Sequence, residues 1–508
     1  MSRYLFGREK IELSMEKVTA ENISAVVKAT LPTHLMNKLD IDYLYEYFKG
    51  NQPIIGREKE IRPSITNNIV ENNAYQIVTF QTNYVFSDAI QYVRRGDKTV
   101  DDRDGLQKDN VSLAISHLNE YMYSENKQEV DREIGEWQNI CGTAYRGVLP
   151  DNSIRATEDD APFEIFSIDP RQVYIVYSTN YTKDPLVAVY ITSEYDVNTK
   201  RKETRYTCYT DNACYTLNNS FEILNVVPHI LGGIPIIEYP ANTSRLGAFE
   251  PVLSMLDALN ALNSNRVDGV EQFVQYLIKF VNCDLDSAGY QEMLKEGAIS
   301  INSVDGKEAD VDIMTAELNQ NQTQTLVDYM YKKALKIAGM PYSDSATGGD
   351  TGQAVQLRDG WTETESRAKG IETMFIGSEK QFLKIVLNIV STKVGGFNLK
   401  LGNIDVKFTR NRTDNLLVKT QGLQNLLEAG ISPSIAINQV GLFSDPEQVA
   451  LDSQEYLEKW KTKDKPTPFQ QTDATKDRAV ETGLANLDSN ISEKMTEKSI
   501  KRTENREV

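Results

Sequence analysis

Leu231-Gly-Gly-Ile-Pro-Ile-Ile-Glu-Tyr-Pro240 is an apolar, strand-like run that hands over almost directly to Leu246–Val281, where the pattern turns helical. From Phe249 onward, Phe249, Val252, Leu253, Leu256, Leu259, Val267, Val270, Phe273, Val274, Leu277 and Val281 recur at the i, i+3, i+4, i+7 spacing of one helix face. Pro251, the one proline of the stretch, falls in the first turn, where a missing N–H costs nothing. The spacing therefore predicts a helix of about thirty residues, roughly 45–50 Å long at about 1.5 Å per residue. A rod of that length has no compact interior to bury it.

Two further long helices follow. Thr323–Gly339 is amphipathic and stops at Gly339-Met-Pro341. Another begins after Gly352 and runs from Gln353 to Lys393, and Gly360, Gly370 and Gly377 within it predict a kink or break. Residues 282–320 form a small insert between the first two helices. Ser343-Asp-Ser-Ala-Thr-Gly-Gly-Asp-Thr351 is a polar, glycine-bearing loop that suits neither helix nor strand.

Upstream, residues 1–60 read as helical and surface-exposed, with Asp40–Asn51 a tyrosine-rich helix stopped by Gly50. Helices are predicted at Asn67–Val85 (Ile69, Asn73, Ile77 and Phe80 on one side), Gln107–Tyr123 and Gln128–Cys141, before Gly142 marks a switch to β structure. Short alternating runs follow at Phe163–Ile168, Val173–Tyr177, Leu186–Ile191, Arg205–Tyr209 and Cys214–Leu217, predicting an antiparallel sheet built from neighbours in sequence. Downstream, a strand is predicted at Ile404–Thr409 and a helix at Leu416–Ala429, stopped by Gly430. Ser432-Pro433 caps a short helix, and Asp445-Pro-Glu447 caps another that runs to Trp460. Residues 461–508 are polar and poor in aromatics, which predicts a mobile tail. The fold class is α+β, dominated by helices.

At 508 residues the chain exceeds what one core usually supports, so several domains are expected. No run approaches the roughly eighteen apolar residues of a membrane span. The first ten residues turn charged too early for a signal peptide, so the expected setting is the cytosol or something assembled there. Cys141, Cys208, Cys214 and Cys283 are spaced wrongly for zinc and read as free thiols, although Cys208 and Cys214 could share a strand face. With 55 basic and 73 acidic residues the formal charge is −18, which argues against gripping nucleic acid by a general electrostatic footprint.

The search for chemistry returns little. Neither phosphate-cradling glycine motif occurs, and Gly348-Gly-Asp-Thr-Gly352, the closest approach, lacks the lysine. Asp102-x-Asp104-Gly105 fails as a calcium loop, because that frame puts Val100 and Val111 where oxygen ligands are required. His34, His117 and His229 are the only histidines and read as structural. No catalytic residue, metal site or cofactor is expected.

The order of segments resembles the portal, or head-to-tail connector, family of tailed bacteriophages in its siphophage branch, over residues 40–460. The resemblance rests on Tyr47-Phe-Lys-Gly-Asn51, Thr66-Asn-Asn-Ile-Val-Glu-Asn72 with Asn83-Tyr84, Ile140-Cys-Gly-Thr-Ala-Tyr145, Gly233-Ile-Pro-Ile-Ile237, Leu256-Asp-Ala-Leu-Asn260, Gly352-Gln-Ala-Val355, and Phe408-Thr-Arg-Asn411 ahead of Gly430-Ile-Ser432. It implies a wing at residues 61–247 after an N-terminal helical region (1–60), stem helices at 248–281 and 321–342, and a clip at 282–320. A tunnel loop at 343–352, a kinked long helix with the wing's return strand at 353–412, a crown at 413–460 and the tail complete the plan.

The resemblance further implies a non-enzymatic ring of about twelve copies at one capsid vertex. The implied partners are the terminase large subunit, a head-completion adaptor, the major capsid protein, the scaffolding protein and the double-stranded DNA in the channel, with no membrane. Ser343, Asp344, Ser345, Thr347, Gly348, Gly349, Asp350 and Thr351 would face that DNA. Lys332, Lys333 and Lys336 are candidate inward basic positions, and Asp284, Asp286, Tyr290, Lys295, Asp305 and Lys307 are candidate docking side chains of the clip. Gly349-Asp-Thr-Gly352 replaces the commoner Asn-x-Ser-Gly. On the residues alone, a metal-dependent nuclease and a coiled-coil scaffold remain alternatives, but sustained heptads are interrupted at Asn263-Ser-Asn-Arg266.

Overall fold

The computed structural model describes residues 7–59, 63–95, 105–151, 160–196, 201–274, 277–281, 310–314, 320–342, 360–395, 397–409 and 416–443, with a few positions between 449 and 456. They fall into two compact units, one up to Asp414 and one from Asn415.

The first unit begins with strand β1 (Ile11–Leu13) and helix α1 (Ile23–Phe48). Contrary to the exposed region expected there, β1 pairs in parallel with Val176–Ser178, and Ile23, Val26, Val27, Ile41, Leu44 and Tyr47 of α1 are buried. Helix α2 (Asn73–Phe86) starts later than predicted, because Asn72 caps it by accepting the Tyr75 N–H at 3.2 Å. After β2 (Gln91–Arg94) come α3 (Gly105–Ser124) and α4 (Lys127–Cys141), then β3 (Thr143–Pro150), β4 (Phe163–Ile168), β5 (Val173–Ser178), β6 (Pro185–Asp196), β7 (Arg201–Tyr209), β8 (Ala213–Leu217), β9 (Ile223–Pro228) and β10 (Ile236–Pro240).

Strands β5 to β8 form the expected antiparallel meander, which β9 extends and β1 turns into a six-stranded mixed sheet in the order β1-β5-β6-β7-β8-β9, whereas Phe163–Ile168 (β4), expected in the same sheet, pairs with β3 instead. The first half of α1 covers one face, where Ile23, Val26 and Val27 meet Tyr174, Val187, Tyr206 and Leu217. A separate sheet, β10-β3-β4, packs with α3 and α4. The β7–β8 register sets Cys208 opposite Tyr215 and Cys214 opposite Tyr209. Those two thiols therefore lie on opposite faces, not on one.

Helix α5 spans Leu253–Val274, entered through a 3-10 turn that holds Pro251. It is shorter than predicted. Leu277–Val281 is instead strand β11, antiparallel to β12 (Asp310–Met314). The β-rich run Leu-Ile-Lys-Phe-Val kept helical spacing by coincidence, and its partner strand lies some thirty residues on, near the far end of the insert, where local periodicity cannot see it.

Helix α6 (Gln320–Ile337) packs on α5 through Val327, Ala334, Leu335 and Ala338, completing a core with α1 and α2. Helix α7 (Trp361–Lys393) starts just after Gly360, at φ +77°, one of the glycines at which a kink or break is expected; residues 353–359 of the predicted helix lie outside the described residues. From there it runs unbroken through Gly370 and Gly377. Strand β13 (Ile404–Lys407) returns to pair with β2. In the second unit, α8 (Leu416–Glu428) ends before Gly430, at φ +83°, and α9 (Pro433–Val440) follows Ser432. The predicted cap at 445–447 lies outside the described residues.

Candidate functional site

The α5–α6 pair and the structure that fixes it in place form the candidate site. One side of α5 is apolar and buried (Val252, Leu253, Leu256, Leu259). Another carries Asp257, Asn260, Ser264 and Asp268, three or four residues apart and so aligned along one stripe. That stripe is covered by the chain between Tyr47 and Asn72. Tyr47 OH donates to Asp257 Oδ1 at 2.9 Å, and Asn260 donates to Gln52 Oε1 at 2.5 Å while accepting the Glu71 N–H at 2.9 Å. Ser264 Oγ accepts the Ile69 N–H at 3.0 Å. Asp268 accepts the Asn67 N–H at 2.8 Å and pairs with Lys59 at 2.6 Å. Burial pushes the Asp268 carboxyl up, but Lys59 and Asn67 outweigh it and hold it below its ordinary value.

Among the described residues of the strap from 51 to 72 the only regular structure is a 3-10 turn at Pro53–Gly56, so its backbone groups need side-chain partners. The polar stripe supplies them. The asparagine-rich Thr66–Asn72 and the interruption at Asn263–Arg266 are thus two sides of one interface. Counting only apolar residues misses it, whereas Asp257, Asn260, Ser264 and Asp268 at helical spacing could have revealed it.

The start of α5 is clamped as well. Glu250 accepts Arg8 at 2.5 Å and the Gly247 N–H at 2.9 Å, with both side chains buried. Nearby, Gly142 ends α4 at φ +79°, and a Cβ there would lie 2.1 Å from the Arg245 carbonyl oxygen. Any other residue would push the chain leading into α5 away from α4.

A buried ionic group fixes α7. Lys127 and Asp131 of α4, Arg146 of β3 and Glu379 of α7 are each at most 3% exposed. Glu379 receives Lys127 at 2.9 Å, Arg146 at 2.7 Å, Tyr92 OH at 2.5 Å and Tyr239 OH at 2.7 Å. Asp131 pairs with Lys127 at 2.6 Å and with Arg146. Two cations balance two anions. Burial raises the Glu379 carboxyl, yet Lys127 and Arg146 beside it hold it down to about 2.

Lys332, Lys333 and Lys336 lie on the exposed side of α6, where Lys333 sits 5.9 Å from the Tyr329 ring centre and Lys336 sits 5.8 Å from that of Tyr342. Leu326, Tyr329 and Ile337 share that exposure, as do Val267 and Val270 of α5. Ser343, Asp344, Ser345, Thr347, Gly348, Gly349, Asp350 and Thr351 lie outside the described residues. So do Asp284, Asp286, Tyr290, Lys295, Asp305 and Lys307. The histidines are dispersed: His34 is buried against Tyr174, His117 is exposed beside Glu120, and His229 is half-buried. Among the described residues no group of His, Cys, Asp and Glu could hold a metal ion, and no helix is long and apolar enough to cross a membrane.

A helix pair anchored at the start and along one side of α5, with apolar residues left outward, is the geometry of a structural, assembling element. The model of one family, phage portal protein, SPP1 Gp6-like, matches residues 28–466, and the chain belongs to that family of bacteriophage portal proteins. The family is structural and not enzymatic. No curated protein matches the chain.

Proposed function

We propose that the chain is the subunit of a ring of about twelve copies at one capsid vertex, through which double-stranded DNA enters during packaging and leaves on ejection. The observation that carries this reading is the family match across residues 28–466. The outward apolar residues of α5 and α6 support it, since a neighbouring copy would take them out of water. In this reading α5 and α6 are the stem helices, and β11 and β12 root the clip at 282–320. Residues 61–247 with the 404–409 strand form the wing, 413–460 the crown, and 343–352 the tunnel loop. The clip docks the terminase large subunit and later a head-completion adaptor, and the wing meets capsid and scaffolding proteins.

Negative-stain electron microscopy with mass measurement on the full-length protein tests the reading. Rings with a central hole are expected. A homogeneous monomer that stays monomeric when scaffolding and capsid proteins are added would sink it. Deleting Gly348–Asp350 is expected to leave rings intact and impair packaging, and normal packaging by that variant would remove the tunnel loop's role.

A further inference from the structure

β9 is the last strand of the six-stranded sheet, and no described strand lies beyond it. Its sequence, Ile223-Leu-Asn-Val-Val-Pro228, carries no charge, and all six residues are exposed. Ile223, Leu224, Val226 and Val227 are 37–56% exposed, and Ile230 just beyond reaches 79%. Sheet edges are normally blunted by charged side chains, and β9 carries none from Ile223 to Pro228, Glu222 standing just before it; the register shift beside Thr216/Leu217 confines its regular pairing to Asn225–Pro228.

The backbone is free to pair as well. The His229 N–H donates to the Asn212 carbonyl at 2.9 Å, so by antiparallel alternation Val227 and Asn225 face β8 and Val226 turns its N–H and C=O outward. Contiguous exposed apolar side chains of this kind are uncommon on a soluble monomer and mark surfaces that meet another protein.

The geometry points to β9 as a contact between neighbouring copies of this chain, in which a strand of the next copy adds to the sheet edge. Two observations select a second copy as occupant. The chain carries −18, so two copies meet at least local electrostatic cost through surfaces that carry no charge, and β9 is such a surface. The family implies a homo-oligomeric ring, in which each copy meets the next head to tail, so β9 faces a different surface of its neighbour. A stable interface needs about 800 Å² per partner, so β9 supplies one part of the contact beside the helices.

This inference rests on the ring reading, so wild-type ring formation, with scaffolding and capsid proteins if needed, is the control, and its absence would fail that reading first. Two variants test β9: Leu224→Lys with Val227→Lys, which charges exposed side chains, and Val226→Pro, which removes the outward N–H but no bond to β8. Circular dichroism and the thermal midpoint verify the fold. With both variants folded, the protein concentration for half-assembly should rise at least tenfold. Rings at wild-type concentrations from both variants would overturn the inference, and so would unchanged rings that no longer enter capsids, because the row would then meet another protein.

Discussion

Glu379 holds more of the fold together than any other single side chain described, because it receives partners from α4, β2, β3 and β10. Glu379→Gln leaves two buried cations with one anion, and the expected cost is about 3–5 kcal/mol in denaturant unfolding. His34 contributes one identifiable part of the pH response. Burial against Tyr174 lowers it from 6.5 to about 4. Between those values the unfolded chain takes up a proton that the folded chain refuses, so stability falls as pH falls, by up to about 1.4 kcal/mol per pH unit. His34→Phe keeps the ring in place and should flatten the unfolding midpoint between pH 6.5 and 4.5. A slope equal to wild type would acquit His34. Nothing in the sequence marked Glu379 or His34 for these roles, since a lone carboxylate on a helix reads as a solvated one until its partners arrive from four other elements.

At the scale of elements, the strap over α5 is held by a series of hydrogen bonds and one ion pair spread along the helix, and Asn260 alone accepts the Glu71 N–H. Asn260→Ala should leave the Glu71 N–H without an acceptor, cost about 1–3 kcal/mol, and appear first as faster amide exchange over residues 65–72. Exchange that quickens equally across the whole unit would mean that the strap is not a separate lock. Helices with strong apolar periodicity, such as α4 and α6, were legible from sequence to within a few residues. So was the β5–β8 meander, whose strands pair with their neighbours. The failures share a cause. β1 and β11 each pair across a long stretch of chain, and α2 starts late because a cap and a strap outrank its periodicity.

For the molecule as a whole, charge works against assembly. Copies at −18 repel over a Debye length of about 30 Å at 0.01 M salt but only about 8 Å at 0.15 M. Raising the salt across that range should therefore favour rings over single subunits in mass photometry. Dissociation instead would mean that ion pairs, not apolar rows, carry the contacts. The portal-family resemblance was legible in sequence because its loose motifs mark anchoring points. Ile140–Tyr145 surrounds Gly142, Thr66–Asn72 is the last part of the strap, and Leu256–Asn260 joins the apolar and polar sides of α5.

Helix α7 runs 33 residues without a break from Trp361 to Lys393, about 50 Å at about 1.5 Å per residue, and Glu379 pins it near the middle. One side of it is buried almost from end to end, from Thr364 to Val390. It therefore acts as a splint: α4, β3 and β10, bound to it through Glu379, are tied to one stiff rod and move together, so a push on any one of them is shared by the others without local unfolding between them.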